Sequence, residues 1–129
     1  TRKESSAASD VYKRQTYKVD LITASLIKYT INSWLATKVT FFNEIHELFE
    51  ASGASPDWEQ FTDMLASDPR IGKSHMQVPG PDGKKGFGGH CFPKDTNALI
   101  YYAKLSGVKL DVLKKVISKN NDIRSGDSG

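Results

Sequence analysis

The sequence predicts an all-α fold, and three observations carry that prediction. An apolar pattern spaced every three or four residues starts near Asp20 and runs unbroken to Gly53. Two shorter amphipathic stretches follow, one from Pro93 and one over residues 111–124. No alternating, β-branched run stands between turn signals, and no segment repeats. The expected architecture is one long helix plus several shorter ones, with a glycine-rich catalytic loop and a disordered N-terminal tail.

The chain has 129 residues, which suits one domain. Residues 1–17 are polar and carry no apolar period, so they are expected to be a disordered, non-native tail. Residues 18–129 form the expected helical domain. Eighteen basic against fifteen acidic residues give a net charge of +3, too mild to call for nucleic acid or a membrane surface. No apolar run reaches the ~18–20 residues of a membrane span. The single cysteine rules out an internal disulfide framework and fits a reducing, cytoplasmic setting. With one cysteine and three scattered histidines, no metal site is expected.

The first helix is expected over residues 20–51, with Ile27, Ile31, Leu35, Val39, Phe42, Ile45 and Phe49 as its apolar stripe. It would be about 48 Å long. Trp34 and Phe41 widen the apolar surface beyond that stripe, so a homodimer through this helix is expected. Lys28 and Asn32 lie four apart and share a face. They read either as solvated exterior residues or as a cation and an amide aimed into one site. His46 is placed on the polar side.

Gly53 suits a C-cap. Ser55 and Pro56 are expected to open a short helix as N-cap and first residue, with Trp58, Phe61, Met64 and Leu65 buried. The pair Asp68-Pro69 ends it. Arg70, just beyond, is either a surface charge or a grip for an oxygen-rich ligand. Residues 72–85 form a long loop, a length more often functional than idle. Its Gly80-Pro81-Asp82-Gly83-Lys84 lacks the spacing of a nucleotide P-loop.

The chemistry centres on Gly86-Phe87-Gly88-Gly89-His90-Cys91-Phe92-Pro93-Lys94-Asp95. Glycines allow a backbone to turn sharply and approach a ligand closely. Pro93 is expected at the first position of the next helix, which places Cys91 just before a helix N-terminus. Unpaired N–H groups there stabilise an anion. Asp95, one turn on, is a candidate base for a nucleophilic thiolate. The plain alternative is a small buried cysteine beside an ordinary loop. This helix should end near Ser106-Gly107, and the last one should pack through Leu113, Val116 and Ile117.

Four blocks in order make the sequence similar to a known family. They are Leu26-Ile27-Lys28-Tyr29 with Asn32, Asn43-Glu44-Ile45, Asp68-Pro69-Arg70-Ile71-Gly72, and the ten-residue cysteine block. Over about residues 20–124 the chain resembles the central domain of the UDP-glucose 6-dehydrogenase family, within the wider UDP-glucose/GDP-mannose dehydrogenase group. That resemblance implies oxidation of the C6 hydroxyl of a UDP-sugar to a carboxylate, with NAD⁺ as oxidant and a cysteine thiohemiacetal and thioester as intermediates. It implies Cys91 as nucleophile, Lys28 as stabiliser of an oxyanion, Asn32 as the amide that orients substrate and water, and Asp95 as the carboxylate assisting proton transfer. It also implies that Arg70 reaches the sugar of a neighbouring subunit, that Phe87 and Gly88 line the substrate, and that Cys91 and Lys94 lie near the cofactor. The family's Rossmann NAD domain and C-terminal UDP-binding domain have no counterpart in this sequence, so it reads as a central fragment, inactive by itself.

Three departures bear on the sugar. His90 stands where a small residue usually precedes the cysteine, residues 76–85 form a longer loop, and Ser25 stands three before Lys28 where Glu is common. A UDP-N-acetyl-aminosugar or GDP-mannose dehydrogenase is therefore the alternative enzyme. A catalytically silent helical dimerisation module is the alternative of another class.

Overall fold

A computed structural model describes residues 19–126, and the expected tail over residues 1–17 lies outside the described residues. The described residues are helical with no strand: α1 (Leu21–Ser52), α2 (Trp58–Ala66), α3 (Cys91–Leu105) and α4 (Asp111–Gly126). Asp20 caps α1 by accepting a 2.7 Å hydrogen bond from the Thr23 N–H, and Gly53 ends it in the left-handed conformation at φ 75°.

The expected start of α2 is corrected by one cap. Asp57, not Ser55, is the N-cap, and Trp58 is the first helical residue. Asp57 accepts from the Gln60 N–H at 2.8 Å while the Gln60 side chain accepts from the Asp57 N–H at 3.0 Å. This reciprocal pair satisfies two otherwise orphaned donors, which a Ser55 cap could not do with Trp58 three residues on. The expected buried face is also corrected. Trp58, Phe61 and Leu65 are only half-buried, and Met64 is exposed. The apolar side chains of α2 meet α1 through the rings of His46 and Phe49, which leaves a nine-residue helix partly uncovered. Rings of Phe49 and Trp58 meet at 5.4 Å, and those of Phe49 and Phe61 at 4.7 Å. His46 stands where the polar and apolar sides of α1 meet: it pairs with Glu50 at 3.6 Å and packs edge-on against Trp58 at 4.8 Å.

Helices α1, α3 and α4 pack mutually, and α1 forms the spine. The core comprises Ala36, Phe42 and Phe49 from α1, Ala103 from α3, Leu113 from α4, and Met76, Val78 and Phe87 from the long loop. That loop, between α2 and α3, is thus built into the core. Trp58 Nε1 donates to the Met76 carbonyl at 2.9 Å and ties it to α2. Lys38, spaced on α1 like a surface residue, is buried. Its ammonium donates to the carbonyls of Ile71 (2.8 Å) and Gly72 (3.3 Å), fixing the turn that follows Arg70.

Candidate active site

Cys91 is the first residue of α3, with His90 as N-cap, so Pro93 is the third helical residue and not the first. Proline is tolerated there for the same reason as at the first position, because the opening N–H groups of a helix have no intrahelical partner. The Cys91 thiol is exposed. It stands at the N-terminus of a fifteen-residue helix, where the unpaired N–H groups and the helix dipole favour negative charge.

One turn along α3, Asp95 is 1% exposed and bridges to α1. Its Oδ2 accepts from Asn32 Nδ2 at 2.6 Å, and its Oδ1 accepts from Lys94 Nζ at 3.0 Å. Burial pushes this carboxyl up. The hydrogen bonds from Asn32 and Lys94 outweigh it, helped by the positive charges of Lys94 and Lys28, and hold it below the ordinary 3.8. The Lys94 ammonium is raised by its bond to Asp95, with a smaller contribution from the Cys91 side chain. Lys28, Asn32, Cys91, Lys94 and Asp95 thus gather where α1 meets the start of α3. The alternative of Lys28 and Asn32 as idle exterior residues does not describe an amide bonded to a buried carboxylate 63 positions away.

Asp95 is therefore a fixed anion at neutral pH. A depressed value makes it a poor proton store but a strong hydrogen-bond acceptor, suited to aligning a water or holding Asn32 in place.

Phe87 and Gly88 lie in an adjoining cleft of about 630 Å³, also lined by Val39, His75, Gln77 and Phe92. The Phe92 ring lies 6.0 Å from Phe87 and 5.8 Å from His75. Phe92 directly follows Cys91, so the cleft wall and the thiol belong to one rigid segment. The His75 imidazole is lowered by burial and then by the charge of Lys38. The cleft is mostly apolar, with His75, Gln77 and Asp82 as its polar groups, and Phe92 brings its wall to the residue next to Cys91.

Arg70 is not in this group. It is exposed on the turn after α2, and its guanidinium grips Asp68 through bonds of 3.0 and 2.7 Å.

Sequence reasoning missed the residues that hold the glycine loop. Asn43 Oδ1 accepts from the Gly86 N–H at 3.1 Å. Asn120 bonds both sides of Phe87, accepting from its N–H at 2.7 Å and donating to its carbonyl at 2.9 Å. Arg124 donates to Asp82 at 3.0 Å and to the Lys85 carbonyl at 3.3 Å. A Cβ on Gly86, which has φ 77°, would strike the Asn120 amide oxygen, and one on Gly88 would strike the Arg124 guanidinium. Both glycines leave room for α4 side chains. Asn120 and Arg124 lie four apart on one helix face, the only sequence signal they gave.

Residues 22–122 match the UDP-glucose/GDP-mannose dehydrogenase family, central domain. UDP-glucose 6-dehydrogenase YwqF of Bacillus subtilis is 41% identical over 106 residues, which is 82% of this chain and 22% of that protein. UDP-glucose 6-dehydrogenase of Rickettsia bellii is 43% identical over 103 residues, 80% of this chain and 22% of the relative. GDP-mannose 6-dehydrogenase of Pseudomonas savastanoi pv. phaseolicola is 38% identical over 102 residues, 78% of this chain and 22% of the relative. The chain thus spans less than a quarter of the length of these relatives.

Proposed function

The chain belongs to the UDP-glucose/GDP-mannose dehydrogenase family, and from that premise we propose that it is the central, catalytic and dimerisation part of a longer cytoplasmic enzyme that oxidises C6 of a nucleotide sugar, UDP-glucose first among candidates. The observation that carries this reading is the Asn32–Asp95–Lys94 group beside an exposed Cys91 at a helix N-terminus. A silent dimerisation module gives no reason for a buried carboxylate bonded on both oxygens at that spot.

Among the described residues there is no strand, and hence no strand–glycine loop–helix unit to cradle a dinucleotide pyrophosphate. The residues here fit only the edge of an NAD⁺ site: Lys94, whose side chain is 48% exposed beside Asp95, offers a charge toward it. Two NAD⁺, bound in turn, would each accept one hydride, the first from the C6 alcohol and the second from the Cys91 thiohemiacetal. In the C6 aldehyde, the Cys91 sulfur adds to the carbonyl carbon, and the Lys28 ammonium balances the charge on the oxygen. At the thioester stage, Asn32 and Asp95 align the water whose oxygen attacks the carbonyl and releases the thiolate. Arg70, exposed on its turn, would exchange its bonds to Asp68 for the sugar held by a second copy.

The full-length enzyme is expected to reduce two NAD⁺ per UDP-glucose consumed, read by absorbance and by product analysis. One NAD⁺ per sugar, with aldehyde as product, would contradict the thiol mechanism. Preference for a GDP-sugar or an N-acetyl-aminosugar would move the reading to the alternative substrate.

Assembly is proposed through α1. Trp34, Phe41 and Leu48, spaced by seven, are 59%, 52% and 63% exposed, and the exposed Val112 of α4 adjoins the first two. An apolar row of this kind calls for a partner, and an antiparallel copy of α1 offers the same row. Sedimentation of this chain is expected to show a dimer, and Trp34→Asp is expected to weaken it at least about tenfold. A wild-type monomer at high micromolar concentration would count against it.

A further inference from the structure

Asn120 is 4% exposed on α4, and both halves of its amide bond one residue of a distant loop. It does to Phe87 what a neighbouring β-strand does to a residue it pairs with, fixing N–H and C=O together. Helix packing does not call for this. A leucine would fill the α4 face without the cost of burying an amide, a cost offset only because both ends are bonded.

The product of that arrangement is a fixed Phe87. Its ring is 7% exposed and meets Phe92 edge-on, and both rings line the cleft. Asn43 holds Gly86 from α1, and Arg124 holds Asp82 and Lys85 one turn further along α4. Gly88 lies under the Arg124 guanidinium, so the backbone from 82 to 88 is gripped from two helices.

We propose that Asn120 is a positioning residue for substrate binding: it sets the Phe87 peptide, and through the Phe87–Phe92 contact the wall of the cleft beside Cys91. This rests on the reading of the cleft as the sugar site. Asn120 touches neither thiol nor carboxylate, so its effect falls on binding common to ground state and transition state.

The test uses the full-length enzyme. Asn120→Asp keeps the acceptor for the Phe87 N–H but sets a carboxylate oxygen against the Phe87 carbonyl. KM for the nucleotide sugar is expected to rise about tenfold while kcat changes less than about threefold. If this variant does not fold, Asn120→Ser, which introduces no charge but is too short to make the paired bonds, reads the same split. A purely structural asparagine would lower the thermal midpoint and the yield of active enzyme while leaving KM alone. Unchanged KM in a folded variant, or a tenfold fall in kcat at constant KM, overturns the proposal. Where wild type turns over nucleotide sugar and KM does not move, Asn120 alone loses its role. Where wild type acts on no nucleotide sugar, the cleft reading falls and takes this proposal with it.

Discussion

Replacing Cys91 by serine in the full-length enzyme is expected to cut formation of the carboxylate by at least about a thousandfold. A serine hydroxyl at this position is almost wholly protonated at neutral pH, and the group holding the site contains no base aimed at it. Asp95 is already bonded to Asn32 and Lys94 and is held below 3.8, so it is poorly suited to drawing a proton from an alcohol. The first oxidation, alcohol to aldehyde, requires no sulfur. The variant is therefore expected to stall with at most one NAD⁺ reduced per active site, measured as a burst with no steady state. Cys91 is exposed, so the substitution leaves the core unchanged and folding is retained. Steady turnover at the wild-type rate would return the cysteine to an ordinary residue in a glycine-rich loop.

The second large effect is expected at Asp95. Asp95→Asn retains the shape and one hydrogen bond to α1 but removes the negative charge. Attack of sulfur on the aldehyde does not need that charge, whereas alignment of water at the thioester does. Thioester hydrolysis is expected to slow by about a hundredfold or more, making deacylation rate-limiting. The same change has a stability signature. The folded-state carboxyl lies below its ordinary 3.8, so its ionised bonds stabilise the fold above that pH, and this contribution is lost as pH falls through the depressed value. Urea unfolding at neutral pH is expected to show the variant less stable by about 1–3 kcal/mol, the worth of hydrogen bonds to a charged group. The gap should close as pH falls through that depressed value, where the wild-type carboxyl becomes protonated in the folded state too. A gap independent of pH would mean that packing, not charge, holds this corner.

Much of this was legible in the sequence because it is local. The apolar period of α1 and the left-handed Gly53 place its end within a residue of expectation. The i,i+4 pairs Lys28/Asn32 and Cys91/Asp95 each share a helix face, so the two faces needed only to meet. What was not legible follows from two causes. Asp57 and Gln60 do form a capping pattern three residues apart, but Ser55-Pro56 offers a competing one, and only the reciprocal bonds decide between them. Lys38, Asn43 and Asn120 each sit on a helix as ordinary polar residues. Their partners are backbone groups 33 to 43 positions away, and no local pattern encodes such a bond. The loop over residues 72–90 was recognisable by its glycines, but the reason for two of them, space for Asn120 and Arg124, lies on α4.

The central claim is that Cys91 carries the sugar, and the Asp95→Asn enzyme makes it directly measurable. Mixed with NAD⁺ and UDP-glucose, quenched in acid within a turnover and digested, it should yield a Cys91-containing peptide heavier by the nucleotide sugar in thioester linkage. Hydroxylamine should remove the added mass. The added mass on any other residue, or unmodified Cys91 in an enzyme that has already reduced two NAD⁺, would contradict the account.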